Sequence, residues 1–133
     1  MSEMEPLLMG MPWYAWLVAF VVIIVIFGDR VLWDYEIKFP MTEGVGDGEI
    51  EFECHKRKGT QFEARLNLES NWWGEDIEVF LNNAHVYTIS KRKNEKGRPR
   101  ILEQVEFEKP NVGDIVEVRI RGEVVLTGPL VLD

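Results

Sequence analysis

The chain has 133 residues, of which 46% are hydrophobic, and a formal net charge of −8. This negative balance argues against general nucleic-acid binding, which needs a basic surface. A single cysteine, Cys54, excludes an internal disulfide framework. Because Cys54 alternates with Ile50 and Phe52, the pattern indicates a core residue in preference to a reactive thiol.

The first feature along the chain is a run of residues without ionisable side chains, from position 6 to position 28. At about 1.5 Å per helical residue, this run matches the roughly 30 Å hydrocarbon core of a bilayer. The alternative is a cleaved signal peptide, but no Lys or Arg precedes the run and no small-residue cleavage site follows it. We therefore expect a short acidic tail over residues 1–10 and a retained transmembrane helix over residues 11–28.

Aromatic residues flank this run, as amphipathic rings do at the two headgroup layers of a membrane. Ala15 and Ala19 form a small-xxx-small pair that would let another helix pack closely, and a plain lipid-facing anchor explains the run equally well. No histidine or charged residue lies in the run, so it predicts no ion path and no axial ligand. The expected membrane-interface residues are Trp13, Tyr14, Trp16, Trp33 and Tyr35.

Basic residues near the run predict its orientation. Arg30 and Lys38 follow it, and no basic residue precedes it. The positive-inside rule therefore places the C-terminal domain in the cytoplasm. The two flanks of the run differ by only two basic residues, so a periplasmic domain stays open as the alternative. The expected location is a bacterial inner membrane that the chain crosses once.

The remainder of the chain predicts an all-β domain. Residues 29–48 have the composition of a linker, because Pro40 and the sequence Glu43-Gly-Val-Gly-Asp-Gly48 have turn chemistry. From position 49 onward, apolar and polar residues alternate in seven or eight short runs. We expect an antiparallel β-sandwich over residues 49–133, close in strand count to immunoglobulin-like domains.

Residues that could carry catalysis are few. His55 and His85, even with Cys54, fall short of the four ligands of a closed zinc site. The sequence contains no glycine-rich phosphate loop and no Gly-x-Ser-x-Gly elbow. It therefore predicts a protein that is not an enzyme, with no metal, no cofactor and no small-molecule substrate.

Two features of the predicted domain favour contact with a partner. Trp72 and Trp73 lie in a turn, and since neighbouring residues of an extended chain face opposite sides, at most one ring can enter the core. Basic residues also concentrate between positions 91 and 100. This pattern is typical either of a contact with a partner or of an ordinary solvated loop. Strand parity would place this loop, the 72–73 turn and the 121–122 turn at one end of the sandwich. The residues expected to contact anionic headgroups or an acidic partner are Trp72, Trp73, Lys91, Arg92, Lys93, Lys96, Arg98 and Arg100.

The segments Met11-Pro-Trp-Tyr-Ala-Trp16 and Trp33-Asp-Tyr35 resemble the aromatic flanks of single-pass accessory subunits in bacterial photosynthetic reaction-centre–antenna complexes and in respiratory complexes. The resemblance implies a non-catalytic subunit that scaffolds or stabilises a larger membrane complex, with other membrane subunits and the lipid bilayer as its partners. The alternative is a membrane-anchored β-sandwich that acts as a binding module, or an assembly factor of the cytochrome-oxidase type.

Overall fold

The computed structural model of the protein describes residues 13–27 and 30–133, and the side chains of residues 13–21 and 30–133. The predicted acidic tail over residues 1–10 lies outside the described residues. Residues from Val31 to Asp133 form a compact unit that is separate from the N-terminal part of the chain.

The N-terminal element is an α-helix, α1 (Trp13–Phe27). In the sequence, Pro12 precedes it and Gly28 follows it, which is typical of helix boundaries. Its 15 residues correspond to a length of about 22 Å, against the roughly 30 Å of a bilayer's hydrocarbon core.

The expectation of a membrane anchor is wrong. Among the residues that the structure describes, no helix is both long enough and apolar enough to cross a membrane. The transmembrane helix over residues 11–28 and the single-pass location in a bacterial inner membrane are therefore both corrected. The sequence run suggested a longer helix because hydropathy alone does not show where a helix begins and ends.

The compact unit is a β-sandwich of two antiparallel sheets, which confirms the predicted all-β architecture. The strands are β1 (Val31–Thr42), β2 (Gly46–His55), β3 (Gly59–Leu68), β4 (Ile77–Leu81), β5 (Ala84–Ile89), β6 (Arg100–Gln104), β7 (Ile115–Ile120), β8 (Glu123–Pro129) and β9 (Val131–Leu132). One sheet has five strands in the order β6-β3-β2-β1-β9, and the other has four in the order β5-β4-β7-β8.

The likeness to immunoglobulin domains is limited to the two packed sheets. Immunoglobulin domains divide their first three strands between the sheets. Here β1, β2 and β3 are neighbours in one sheet, joined by two consecutive hairpins. The topology is therefore a meander that later strands extend on both sides.

The region predicted as a linker, residues 29–48, contains the longest strand of the sandwich. In β1, Tyr35, Ile37 and Phe39 are buried and alternate with polar residues, which is the same period of two that marks the other strands. A turn closed by the Val45 N–H and the Thr42 carbonyl then leads into β2. The domain therefore begins at position 31 and not at position 49.

The core lies between the two sheets. The largest side chains with no exposed surface include Phe52, Phe62 and Ile77, and Leu130 is also fully buried. Leu130 stands between β8 of one sheet and β9 of the other, so its burial fixes the point where the chain changes sheets. Cys54, which the sequence pattern placed in the core, is only partly buried.

Candidate interaction surface

The residues predicted at a membrane interface fall into two groups. Tyr35 is 7% exposed and belongs to the sandwich core, so the interface prediction is wrong for it. Trp33 is partly buried and packs against the core, with its ring 5.9 Å from that of Phe107. Their spacing reflects a strand face directed inward. Trp13, Tyr14 and Trp16 are exposed on α1, and without a spanning helix their predicted interface role loses its basis.

The helix-packing pair stays a prediction. Ala15 is partly exposed and Ala19 is exposed on α1. Within the described part of the chain, α1 is the only α-helix, so no second helix is present against which the pair could pack.

The two adjacent tryptophans separate as predicted. Trp72 is 7% exposed, and its indole N–H donates to the Gly44 carbonyl over 2.7 Å. Trp73 is 45% exposed, although its indole N–H donates to the Leu68 carbonyl, also over 2.7 Å. One ring therefore enters the core, and the other offers part of its face to solvent with its hydrogen bond already satisfied.

The predicted clustering of loops at one end of the sandwich is confirmed. Trp72 joins the turn at Gly44, and the Arg121 guanidinium lies 4.9 Å from the centre of the Trp72 ring. The amide of Asn94, in the basic loop, donates to the Trp72 carbonyl over 2.9 Å.

The basic residues at positions 91–100 are all exposed, and buried residues alternate with them. Asn94 and Pro99 have almost no exposed surface, and Gly97 is also buried. We call the exposed set the basic platform, which consists of Lys91, Arg92, Lys93, Lys96, Arg98 and Arg100.

The backbone beneath the basic platform is held by contacts with the 68–76 segment. Besides its bond to Trp72, the Asn94 amide donates to the Glu75 carbonyl over 3.1 Å. The Leu68 N–H donates to the Gly97 carbonyl over 2.7 Å, and the Lys91 N–H donates to the Asp76 carboxylate over 2.7 Å. Hydrogen bonds therefore hold the backbone of this loop in place, while its basic side chains remain exposed to solvent.

Within the described part of the chain, the cations of the basic platform have no acidic partners. None of the six forms an ion pair with any residue that the structure describes. Some cations elsewhere are paired: Arg65 lies 2.6 Å from Glu49, and Arg121 lies 3.5 Å from Glu75. Six exposed cations without an acidic partner among the described residues therefore lie within ten consecutive positions of an acidic protein.

A groove of about 630 Å³ adjoins the basic platform on the outer face of the five-stranded sheet. Arg98 and Arg100 line it together with Arg65 and Lys38. Arg65 and Arg100 are direct cross-strand partners on β3 and β6. Glu49, 2.6 Å from Arg65, offsets the repulsion between these like charges, whereas Arg100 forms no ion pair with a described residue.

The opposite part of the same sheet face carries a carboxylate cluster that sequence reasoning missed. The register pairs Asp34 with Glu53 and Glu36 with Glu51, and Asp133 follows β9 beside them. Acidic residues alternate along β1 and could have indicated the cluster. Because residues 29–48 were predicted to be a linker, these residues were not placed on a strand.

Burial and the proximity of like charges shift the pKa values of the carboxyl groups in this cluster. Burial first, then a hydrogen bond and charge repulsion from Asp133, raise the pKa of Asp34 to about 7. Burial first, then hydrogen bonding to Asp133 and repulsion from Asp34, raise the pKa of Glu51 to about 9. Hydrogen bonds from Glu51 and Asp34 lower the pKa of Asp133.

Oxygen ligands for a divalent cation could come from this cluster. Carboxylate oxygens of Asp34, Glu51 and Glu53 approach within 4.8 Å of one another, and those of Glu36, Glu51 and Asp133 form a second such group. Carboxylates are ligands that Ca²⁺ and Mg²⁺ accept. The cluster is partly exposed, and no other feature of the described residues selects an ion.

Comparison with known proteins gave no relatives: no protein family matches the chain, and neither curated proteins nor solved structures show a significant similarity to it.

Proposed function

We propose that this chain is a non-catalytic docking module, a β-sandwich that joins a larger protein assembly by binding an acidic surface of its partner through the basic platform. The observation that carries the proposal is the display of six exposed cations, without acidic partners among the described residues, on a backbone that buried residues hold in place. A surface that is already ordered loses little conformational entropy when it binds.

The chemistry of the basic platform fits recognition and not catalysis. Lysine and arginine supply positive charge and hydrogen-bond donors, and arginine can hold a carboxylate through two parallel hydrogen bonds. Neither residue type at this exposed site supplies the paired nucleophile and base that covalent catalysis needs. Trp73, half exposed beside the cations, adds an aromatic contact of the kind that interfaces favour.

A free-standing binding module is the second candidate function, and the groove beside Arg98 and Arg100 favours it. The two candidates differ in stoichiometry. A subunit stays with its partner through purification at a fixed ratio, whereas a free-standing module exchanges its ligand and purifies alone.

The test compares two variants with the same change in charge. Lys91, Lys93 and Lys96 are replaced by Gln in one full-length chain, and Lys56, Lys58 and Lys109, which are also exposed, are replaced by Gln in the control. Each tagged chain is purified from its native cells, and the co-purifying proteins are quantified by mass spectrometry.

We expect a partner at a fixed ratio to the wild type and the control, and several-fold less of it with the platform variant. Added salt should release the partner from the wild type, because screening shortens the reach of surface charge. Equal recovery with both variants would show that the basic platform does not bind the partner. Purification of every chain alone would favour the free-standing module.

A further inference from the structure

The strand beside the basic platform, β6, is the outermost strand of the five-stranded sheet. It pairs with β3 on one side, and among the described strands it has no neighbour on the other. An unpaired strand edge presents a row of backbone donors and acceptors that another strand can use.

The directions of the backbone groups in β6 follow from its pairing. The Pro99 carbonyl accepts from the Leu66 N–H over 3.1 Å, and the Val105 N–H donates to the Thr60 carbonyl over 3.3 Å. In an antiparallel ladder alternate residues turn their groups to opposite sides. The N–H and carbonyl groups of Arg100, Leu102 and Gln104 therefore point to the open edge.

The side chains of these same three residues lie on the solvent face of the sheet. Leu102 is 60% exposed, and all three are exposed residues. Arg100 is opposite Arg65, and Arg98 lies two residues before it. The edge thus offers positive charge at one end and an exposed apolar side chain next to it.

Charged residues at a sheet edge often serve to prevent unwanted pairing. An exposed leucine at the centre of the edge has the opposite effect, because it adds apolar surface that a neighbouring strand would cover. Arg98 and Arg100, which form no ion pair with a described residue, then favour pairing with a strand that carries acidic side chains. These features together select a particular kind of strand and do not merely repel all strands.

We infer that the free edge of β6 receives an extended acidic segment of the partner protein as an additional strand. This inference rests on the proposed docking function and names the form in which the partner binds. In antiparallel pairing the segment would place an apolar residue opposite Leu102 and, two residues later, an acidic residue opposite Arg100. A further acidic residue after the same interval would face Arg98.

The probe is the peptide acetyl-Gln-Thr-Val-Thr-Glu-Thr-Glu-amide, which has this pattern, and its control has Gln at both Glu positions. Binding to the full-length chain is measured by calorimetry and by protection of backbone amides from exchange. We expect protection of the Arg100, Leu102 and Gln104 amides, and about tenfold weaker binding of the control peptide.

Leu102→Pro removes one N–H from the open edge and leaves the ladder to β3 intact, and an edge strand tolerates proline there. Its control is Leu102→Ala, which keeps the N–H. We expect Leu102→Pro to weaken peptide binding at least about fivefold more than Leu102→Ala does.

A second test remains informative even if the Leu102→Pro variant does not fold. Arg98→Glu with Arg100→Glu should lose the acidic peptide and gain a peptide that has Lys at both Glu positions. If these variants bind all peptides alike, or if the edge amides exchange freely with the peptide bound, the strand-addition inference is overturned. The lysine-variant experiment on the assembly tests the docking function separately, because it leaves the β6 edge unchanged.

Discussion

The indole ring of Trp73 occupies the space that a side chain at position 97 would need. A Cβ atom built on Gly97 would collide with Nε1 and Cδ1 of this ring and would come within 2.8 Å of the Leu68 carbonyl oxygen. Gly97 also has φ +69°, a left-handed conformation that favours glycine. The half-exposed tryptophan therefore packs directly against the backbone that supports the basic platform.

The first prediction concerns Gly97→Ala. The added methyl group should displace the Trp73 ring and lower the free energy of unfolding by about 1–3 kcal/mol, as overpacking does. The control is Gly59→Ala, because Gly59 has φ +78° and no atom within 4 Å of the position of its Cβ. Chemical denaturation measures both variants, and equal losses would show that left-handed strain accounts for the whole effect.

The two tryptophans should differ in their contribution to stability. Trp72→Ala removes a buried ring and should cost about 3–5 kcal/mol. Trp72→Phe keeps most of the apolar contact and should cost less, chiefly through loss of the hydrogen bond to Gly44. Trp73→Ala should cost less than Trp72→Ala in thermal unfolding. Similar costs for the two alanine variants would contradict the different burial of the rings.

The boundary of the domain gives a third prediction. A chain of residues 31–133 should fold, because it keeps β1 with its buried residues Tyr35, Ile37 and Phe39. A chain of residues 43–133 should not, since β2 would lose one of its two neighbouring strands and β9 would lose the described strand with which it pairs. Circular dichroism during heating distinguishes a cooperative transition from its absence. A cooperative transition in the shorter chain would show that β1 is dispensable.

The sequence predicted the sandwich because alternation of apolar and polar residues is a local signal. It missed β1 because Trp33 and Tyr35 satisfy two patterns at once, the alternation of a strand and the aromatic flank of a membrane span. The choice between these patterns depends on where α1 begins and ends, and hydropathy does not determine those positions.

The candidate site was predictable only in part for a similar reason. The cations of the basic platform are visible in the sequence, but the support beneath them joins Asn94 to Trp72, which are 22 positions apart. The carboxylate cluster depends on the register that places Asp34 opposite Glu53. Contacts of this kind are set by tertiary packing, which no local pattern encodes.

The last prediction is a loss of stability as the pH rises through the neutral range. Asp34 has its pKa raised from 3.8 to about 7 in the folded chain, and Glu51 from 4.5 to about 9. Between the unfolded and folded values, the folded chain binds more protons than the unfolded chain, so the free energy of unfolding falls with increasing pH. Their stabilisation is complete below about pH 4 and is lost as the pH rises through about 7 for Asp34 and through about 9 for Glu51. Asp133, whose pKa is lowered, acts in the opposite direction and only at acidic pH.

Glu51→Gln tests this cluster directly. The amide can replace the protonated carboxyl group as a hydrogen-bond donor to Asp133, but it cannot acquire a negative charge at high pH. We therefore expect the variant to melt several degrees higher than the wild type at pH 9, and to differ little from it at pH 4. Glu123→Gln, at an exposed position on the other sheet, is the control for the change in net charge. If the melting temperatures of wild type and Glu51→Gln decline in parallel from pH 4 to pH 9, the titration of Glu51 does not govern the stability of this sheet face.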